Sequence, residues 1–180
     1  IMEMAQASGL TLLKPSERNP LLTSTYGTGE MILDAIGKGC RRFLIGIGGS
    51  ATNDGGTGMM EALGFRFTDA DGNPITGLCG GNLHRIAEID ASMAAKGIGE
   101  AEFIIACDVE TPFWGPEGAA AVFGPQKGAT PDTVAILEEG MQNLGGVIIR
   151  NLGIDLSTVK GSGAAGGLGG AFHAFLNARL

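Results

Sequence analysis

The run Gly46-Ile47-Gly48-Gly49-Ser50-Ala51-Thr52-Asn53-Asp54-Gly55-Gly56 constrains this chain more than any other segment. The apolar stretch Phe43-Leu44-Ile45 leads into it, and Met59, Met60, Ala62 and Leu63 follow at helical spacing. A strand that turns through glycines into a helix start presents outward N–H groups and the positive end of a helix dipole, the layout of an anion site. Glycine lets the main chain approach a phosphate closely. Ser50, Thr52 and Asn53 add hydroxyl and amide groups, and Asp54 adds a carboxylate. A phosphate-bearing ligand or a small polyhydroxy acid suits such a loop. Taken alone, though, it is better explained as a tight strand-to-helix turn.

The loop is not alone. Glycine accounts for 32 of the 180 residues, more than twice the usual share of roughly 7%, and it follows no collagen period. A second cluster comes after Phe103-Ile104-Ile105-Ala106-Cys107-Asp108, running through Gly115-Pro116-Glu117-Gly118 to Gly124-Pro125-Gln126-Lys127-Gly128-Ala129. A third spans Gly161 to Gly170 and opens onto Phe172, Phe175 and Leu176. Three such loops at element ends point to a binding site, since open α/β sheets bind ligands at the carboxyl ends of their strands. The loose dinucleotide fingerprint also fits Gly46-x-Gly48-x-x-Ala51, but it expects an acidic residue about 20 positions on, at the end of a second strand. Asp69 and Asp71 stand near that distance inside Thr68-Asp69-Ala70-Asp71-Gly72-Asn73-Pro74, which reads as a turn. A NAD-binding oxidoreductase domain is therefore disfavoured. No P-loop motif occurs.

Alternating apolar patterns predict a mixed α/β sheet with flanking helices. A helix remnant runs to Gly9, Leu10–Leu13 reads as a short strand, and Gly29–Ile36 has helical spacing closed by Gly37. Strands are expected over Arg42–Ile47, Gly64–Thr68 and Phe103–Cys107, with a helix over Gly58–Leu63 between the first two. Arg85–Ile89 fits a strand or one helical turn. Pro131 suits a helix N1 position, Thr133–Leu144 is amphipathic, and Val147–Leu152 fits either helix or strand.

Composition narrows the class. A chain of this length buries a sizeable core without staples, and its apolar runs are too short to span a bilayer. Net charge is −7 with scattered basic residues, which disfavours nucleic acid as a partner. Cys40, Cys79 and Cys107 are odd in number and far apart, so they read as reduced thiols, and a cytoplasmic location is expected. His84 reads as a surface residue, and His173 follows the third glycine loop outside any visible triad. Asp54 and Asp108 each sit in a glycine-rich loop after an apolar strand, and are the candidates for base or metal ligand. As a turn and cap residue, Asp54 is equally well explained. A lone Lys127 is most simply a solvated lysine.

The three glycine blocks, in order, and the opening Asn19-Pro20-Leu21-Leu22-Thr23-Ser24-Thr25-Tyr26-Gly27-Thr28-Gly29-Glu30 resemble the bacterial glycerate kinase family along essentially the whole chain. Thr111-Pro112-Phe113 departs from the family's usual Asn-Pro-Leu, and Thr57 from a common alanine, without removing a carboxylate or a loop glycine. The resemblance implies a two-domain α/β enzyme that phosphorylates D-glycerate with ATP and Mg2+, favouring 2-phosphoglycerate. It implies that residues 1–180 are the inserted domain, because the family's flanking segments with Asp-Ser-Phe-Lys-Gly-like and Glu-Gly-Arg-like motifs are not in this sequence. It turns Asp54 and Asp108 towards catalysis, with Asp108 as a candidate Mg2+ ligand. It marks Gly48, Gly49, Ser50, Ala51, Thr52, Asn53, Gly55, Gly56, Gln126, Lys127, Ser162 and Gly163 as substrate- or phosphate-binding. A homo-oligomer is compatible with it. The alternative expectation is a non-catalytic domain that binds glycerate or nucleotide, since half of a two-domain cleft is missing.

Overall fold

The computed structural model describes every residue, Ile1–Leu180. Six strands form two sheets: β1 (Met2–Glu3), β2 (Arg42–Gly46), β3 (Arg66–Thr68), β4 (Pro74–Ile75), β5 (Glu88–Asp90) and β6 (Glu102–Ala106). Around them lie α1 (Ala5–Ser8), α2 (Tyr26–Gly37), α3 (Thr57–Ala62), α4 (Ala119–Phe123), α5 (Pro131–Leu152) and α6 (Ala164–Leu176). The first sheet, ordered β1-β2-β6, is parallel; the second, β4-β3-β5, is antiparallel. The fold is the mixed α/β architecture that the sequence patterns predict.

Side chains alternate across a strand, and β2 and β6 show why one face is covered. Phe43, Ile45, Phe103 and Ile105 are buried in the core, whereas Arg42, Leu44 and Glu102 face outward. The Phe43 and Phe103 rings stack with centroids 4.9 Å apart, a contact worth about 0.5–1.5 kcal/mol beyond its buried area. Register runs from Arg42 opposite Glu102 to Gly46 opposite Ala106. Both strands therefore end side by side, and the loops after them start at the same sheet edge.

Helix α5 shows how sequence sets an element's limits. Thr130 caps it by accepting from the Thr133 N–H, Pro131 opens it, and Gly153 closes it at φ 70°. Leu137, Met141, Leu144 and Ile148 recur on one face and are buried. Val147–Leu152 continues this helix and is not a strand. The helix continues through the internal Gly145 despite glycine's poor helix propensity; a side chain there would strike the Trp114 ring, which is why the position is glycine.

The amino-terminal stretch corrects the sequence reading. Met2 and Glu3 pair with Ile45 and Gly46 as a strand before α1 begins. Leu10–Leu12 is a 3-10 turn, held where the Leu10 N–H donates to the Gly49 carbonyl. Both differences come from long-range pairing, which local periodicity does not encode. Around Arg85–Ile89 both readings are realised, with a 3-10 turn over Leu83–Arg85 followed by β5. No helix is long and apolar enough to cross a membrane.

Candidate active site

A cavity of about 180 Å³ opens at the carboxyl ends of β2 and β6. Gly48, Gly49 and Ser50 form one wall, and Cys107, Asp108 and Val109 form the facing one. Phe123 and Gln126 contribute from the second glycine segment, and Ala164 and Ala165 from the third. All three glycine-rich segments thus converge on one place. Asp108 and Gln126 are exposed, so their polar ends are available to a ligand. Asp108 is the one carboxylate lining the cavity, and no group of three or more His, Cys, Asp or Glu gathers anywhere in the chain.

The first loop has two halves with different roles. At Gly48 an added Cβ would meet nothing, and at Gly49, with φ 71°, it would come only to 3.5 Å from Ala5 Cβ. This exposed backbone admits close approach from outside. From Ser50 to Met60 every residue is buried. Gly55, at φ 60°, fits beneath the Leu144 side chain, and Gly56, at φ 75°, fits against Ala171. Those two glycines serve packing and the left-handed entry to α3. The Ala51 N–H donates to the Ser8 carbonyl.

Asp54 is fully buried and belongs to the interior half. Its Oδ2 accepts from the Thr25 N–H and Thr25 hydroxyl, each at 2.7 Å, and from the Gly58 N–H at 3.3 Å. Its Oδ1 accepts from the Gly56 N–H at 3.1 Å. Burial pushes this carboxyl above its usual range, opposed by the hydrogen bonds from Thr25, Gly56 and Gly58. The carboxylate ties the start of α2 to the start of α3 and lies outside the cavity lining.

Lys127 is 1% exposed, so it is not the solvated lysine its sequence context suggests. Its Nζ donates to the Thr52 carbonyl at 2.6 Å, linking the second glycine segment to the first loop. Burial draws the ammonium down to about 7, with the charge of Asp54 acting in the opposite direction. Thr52 and Asn53, which directly precede Asp54 in sequence, are buried and lie outside the cavity. Ser162 and Gly163 are also set apart from it. The Ser162 hydroxyl donates to the Leu156 carbonyl, and a side chain at Gly163 would strike the Pro112 carbonyl.

Ala164 and Ala165 complete the cavity and were not singled out by residue type. Ala165 takes φ 54°, where a side chain is rarely found; the only sequence cue is the string of glycines around it. His84 is exposed, and His173 does not line the cavity. The dinucleotide alternative loses its second strand, because β3 pairs antiparallel with β4 and β5 and not with β2. Asp69 closes its own turn by accepting from the Asp71 and Asn73 N–H groups.

A profile of the glycerate kinase family matches residues 1–180. Glycerate kinase of Halalkalibacterium halodurans is 48% identical over 180 residues, covering 100% of this chain and 47% of the relative. Glycerate 2-kinase of Escherichia coli is 46% identical over 179 residues, covering 99% of this chain and 47% of the relative. A crystal structure from Salmonella typhimurium, provisionally named glycerate kinase 2, superposes with a TM-score of 0.95 at 48% identity. That alignment covers 99% of this chain and 48% of the other. The chain spans about half the length of the curated relatives it matches.

Proposed function

Because this chain belongs to the glycerate kinase family, we propose that it supplies one side of the active-site cleft of a cytoplasmic, ATP-dependent D-glycerate kinase. The convergence of three glycine-rich segments on Asp108 at the ends of β2 and β6 carries this reading. A pocket for a whole small ligand usually measures about 300–1,000 Å³, and the cavity here is about 180 Å³. It suits part of a ligand, with a second domain supplying the rest.

Phosphoryl transfer asks a protein mainly for positioning and for stabilisation of charge on the phosphoryl oxygens. The exposed Gly48-Gly49 backbone and the Ser50 and Gln126 side chains receive the phosphates. Asp108 accepts the proton of the attacking glycerate hydroxyl as its oxygen bonds to the γ-phosphorus. The bond from that phosphorus to the β–γ bridging oxygen breaks, and ADP departs. Asp54 acts at one remove, by holding the loop. Attack through the 2-hydroxyl, giving 2-phosphoglycerate, is favoured by the name of the Escherichia coli relative. An exposed carboxylate at the cavity also fits a bound Mg2+, which is usually held by one or two carboxylates together with substrate phosphates and water. Bound there, Mg2+ would neutralise phosphate charge.

The full-length protein, assayed with ATP, Mg2+ and D-glycerate, is expected to form ADP and 2-phosphoglycerate, resolved by phosphorus NMR. Absence of turnover across a panel of small hydroxy acids would sink the kinase reading. Asp108→Asn is expected to lower kcat by about a hundredfold, the low end for a lost base. Recovery of its rate at high Mg2+ would reassign Asp108 as metal ligand. The 180-residue chain alone is expected to fold and to be inactive, since donor and acceptor must be enclosed and aligned between two halves. Near-native turnover by this piece would place the whole active site within it.

A further inference from the structure

Behind the cavity, a ring of three hydrogen bonds joins the glycine-rich segments to one another. The Gly55 N–H of the first segment donates to the Gly166 carbonyl of the third at 2.9 Å, and the Gly163 N–H of the third donates to the Thr111 carbonyl of the second at 2.9 Å. Lys127 Nζ closes the ring from the second segment to the first, on the Thr52 carbonyl at 2.6 Å. That carbonyl accepts from no other group, and it lies where the first and third segments meet, since a Cβ at Gly166 would strike it. The links leave from residues beside the cavity wall: Lys127 follows Gln126, Gly163 precedes Ala164, and Gly166 follows Ala165. Two of the three run from main chain to main chain, and Lys127 alone supplies a side chain. Its bond is also the only hydrogen bond between residues 46–56 and 124–129.

We propose that Lys127 is a positioning residue, the clasp that fixes the Gln126 side of the cavity against the Gly48, Gly49 and Ser50 side. It reaches no ligand itself, being 1% exposed and outside the cavity lining. The 3-10 turn Pro125–Lys127 presents Gln126 to solvent at the cavity and Lys127 to the interior. Any shift of the lysine within so short a turn passes directly to the glutamine. A buried ammonium without an ion pair is costly, and Lys127 makes none. Methionine would fill a similar volume without that cost, so the position asks for the N–H. With the clasp made, groups from both sides of the cavity stand at a fixed spacing. That spacing matters most in the transition state, where a misplacement of about 1 Å can cost about a hundredfold in rate. The consequence for catalysis rests on the kinase reading above; the clasp itself does not.

Hydrogen exchange and kinetics on the full-length protein test the clasp separately. In Lys127→Met, amide exchange is expected to quicken by about tenfold in both 46–50 and 124–129, the scale of one lost charge-assisted hydrogen bond. The kcat for D-glycerate is expected to fall by at least about tenfold, with KM for Mg-ATP within about threefold. Because Lys127 acts through Gln126, its kcat loss is expected to shrink below about threefold in a Gln126→Ala background. If Lys127→Met does not fold, Lys127→Gln, which keeps an N–H donor on a shorter stem, is expected to change exchange and kcat in the same directions. Unchanged exchange would overturn the clasp, with or without kinase activity. Equal kcat losses in both backgrounds would overturn it too, as would a rise of about tenfold in KM for Mg-ATP at unchanged kcat, the mark of a direct phosphate contact. Exchange that quickens in both segments of a protein that turns over no small hydroxy acid would keep the clasp and remove the kinase reading.

Discussion

Within one eleven-residue loop, Gly48–Gly49 and Thr52–Gly56 are both glycine-rich and differ in exposure and in what their glycines do. The first part lies at the cavity with open space beside its glycines. The second is buried, with Asp54 bonded to the starts of two helices and its glycines fitted under Leu144 and Ala171. The carboxylates divide in the same way: Asp108 is exposed at the cavity, and Asp54 is engaged in the interior. A glycine-rich loop therefore need not be a binding loop along its whole length. One half approaches a ligand, and the other fixes the first half in place.

The largest effect that bears on this contrast is expected from Asp54→Ala. Four donor groups lose their acceptor at once, and a buried donor left unsatisfied costs about 1–3 kcal/mol, measurable by urea unfolding. A folded Asp54→Ala protein with normal stability and no turnover would break the contrast and return Asp54 to the chemistry. Asp108→Asn should do the opposite, with kcat down about a hundredfold and an unchanged urea midpoint. Next come the glycines. Gly56→Ala combines a left-handed φ with a clash at Ala171, and should destabilise by about 1–3 kcal/mol. Gly48→Ala should leave the melting temperature alone and raise the KM for ATP; a large stability loss there would show that both halves serve packing.

A separate prediction, read as a slope and not as a single stability difference, concerns Lys127 and pH. The folded chain releases this proton near pH 7, whereas an ordinary lysine keeps it to 10.5. The unfolded state binds more protons over that interval, so the contribution of Lys127 makes stability rise with pH through it. Lys127→Met should flatten the rise in urea-derived stability between those limits. An identical slope in the variant would show that the buried lysine stays charged.

Much of the frame could be read directly from the chain. The patterns Phe43-Leu44-Ile45 and Phe103-Ile104-Ile105 announce β2 and β6, and Gly37 and Pro131 mark helix boundaries, because these signals act within a few residues. The strand at Met2–Glu3 and the turn at Leu10–Leu12 were hidden, since each depends on a partner about 40 residues away. Helix α5 running through Gly145-Gly146 was hidden too, because the burial of Val147 and Ile148 beyond those glycines is a tertiary matter. Asp108 and Gln126 could be named from the sequence as cavity residues. Ala164 and Ala165 could not, as alanine carries no chemical signal.

The sequence by itself determined the fold class, the family, and that three glycine segments follow apolar runs, because backbone freedom and side-chain periodicity are local properties. Only the tertiary structure decided which residues of those segments meet. The register of β2 against β6 brings Gly48 and Asp108 to one sheet edge. The packing of α5 and α6 beneath the loop turns Asp54 inward, away from the cavity. Burial, which depends on every neighbour at once, converts Lys127 from the solvated residue its sequence suggests into an interior amine that gives up its proton far more readily than an ordinary lysine.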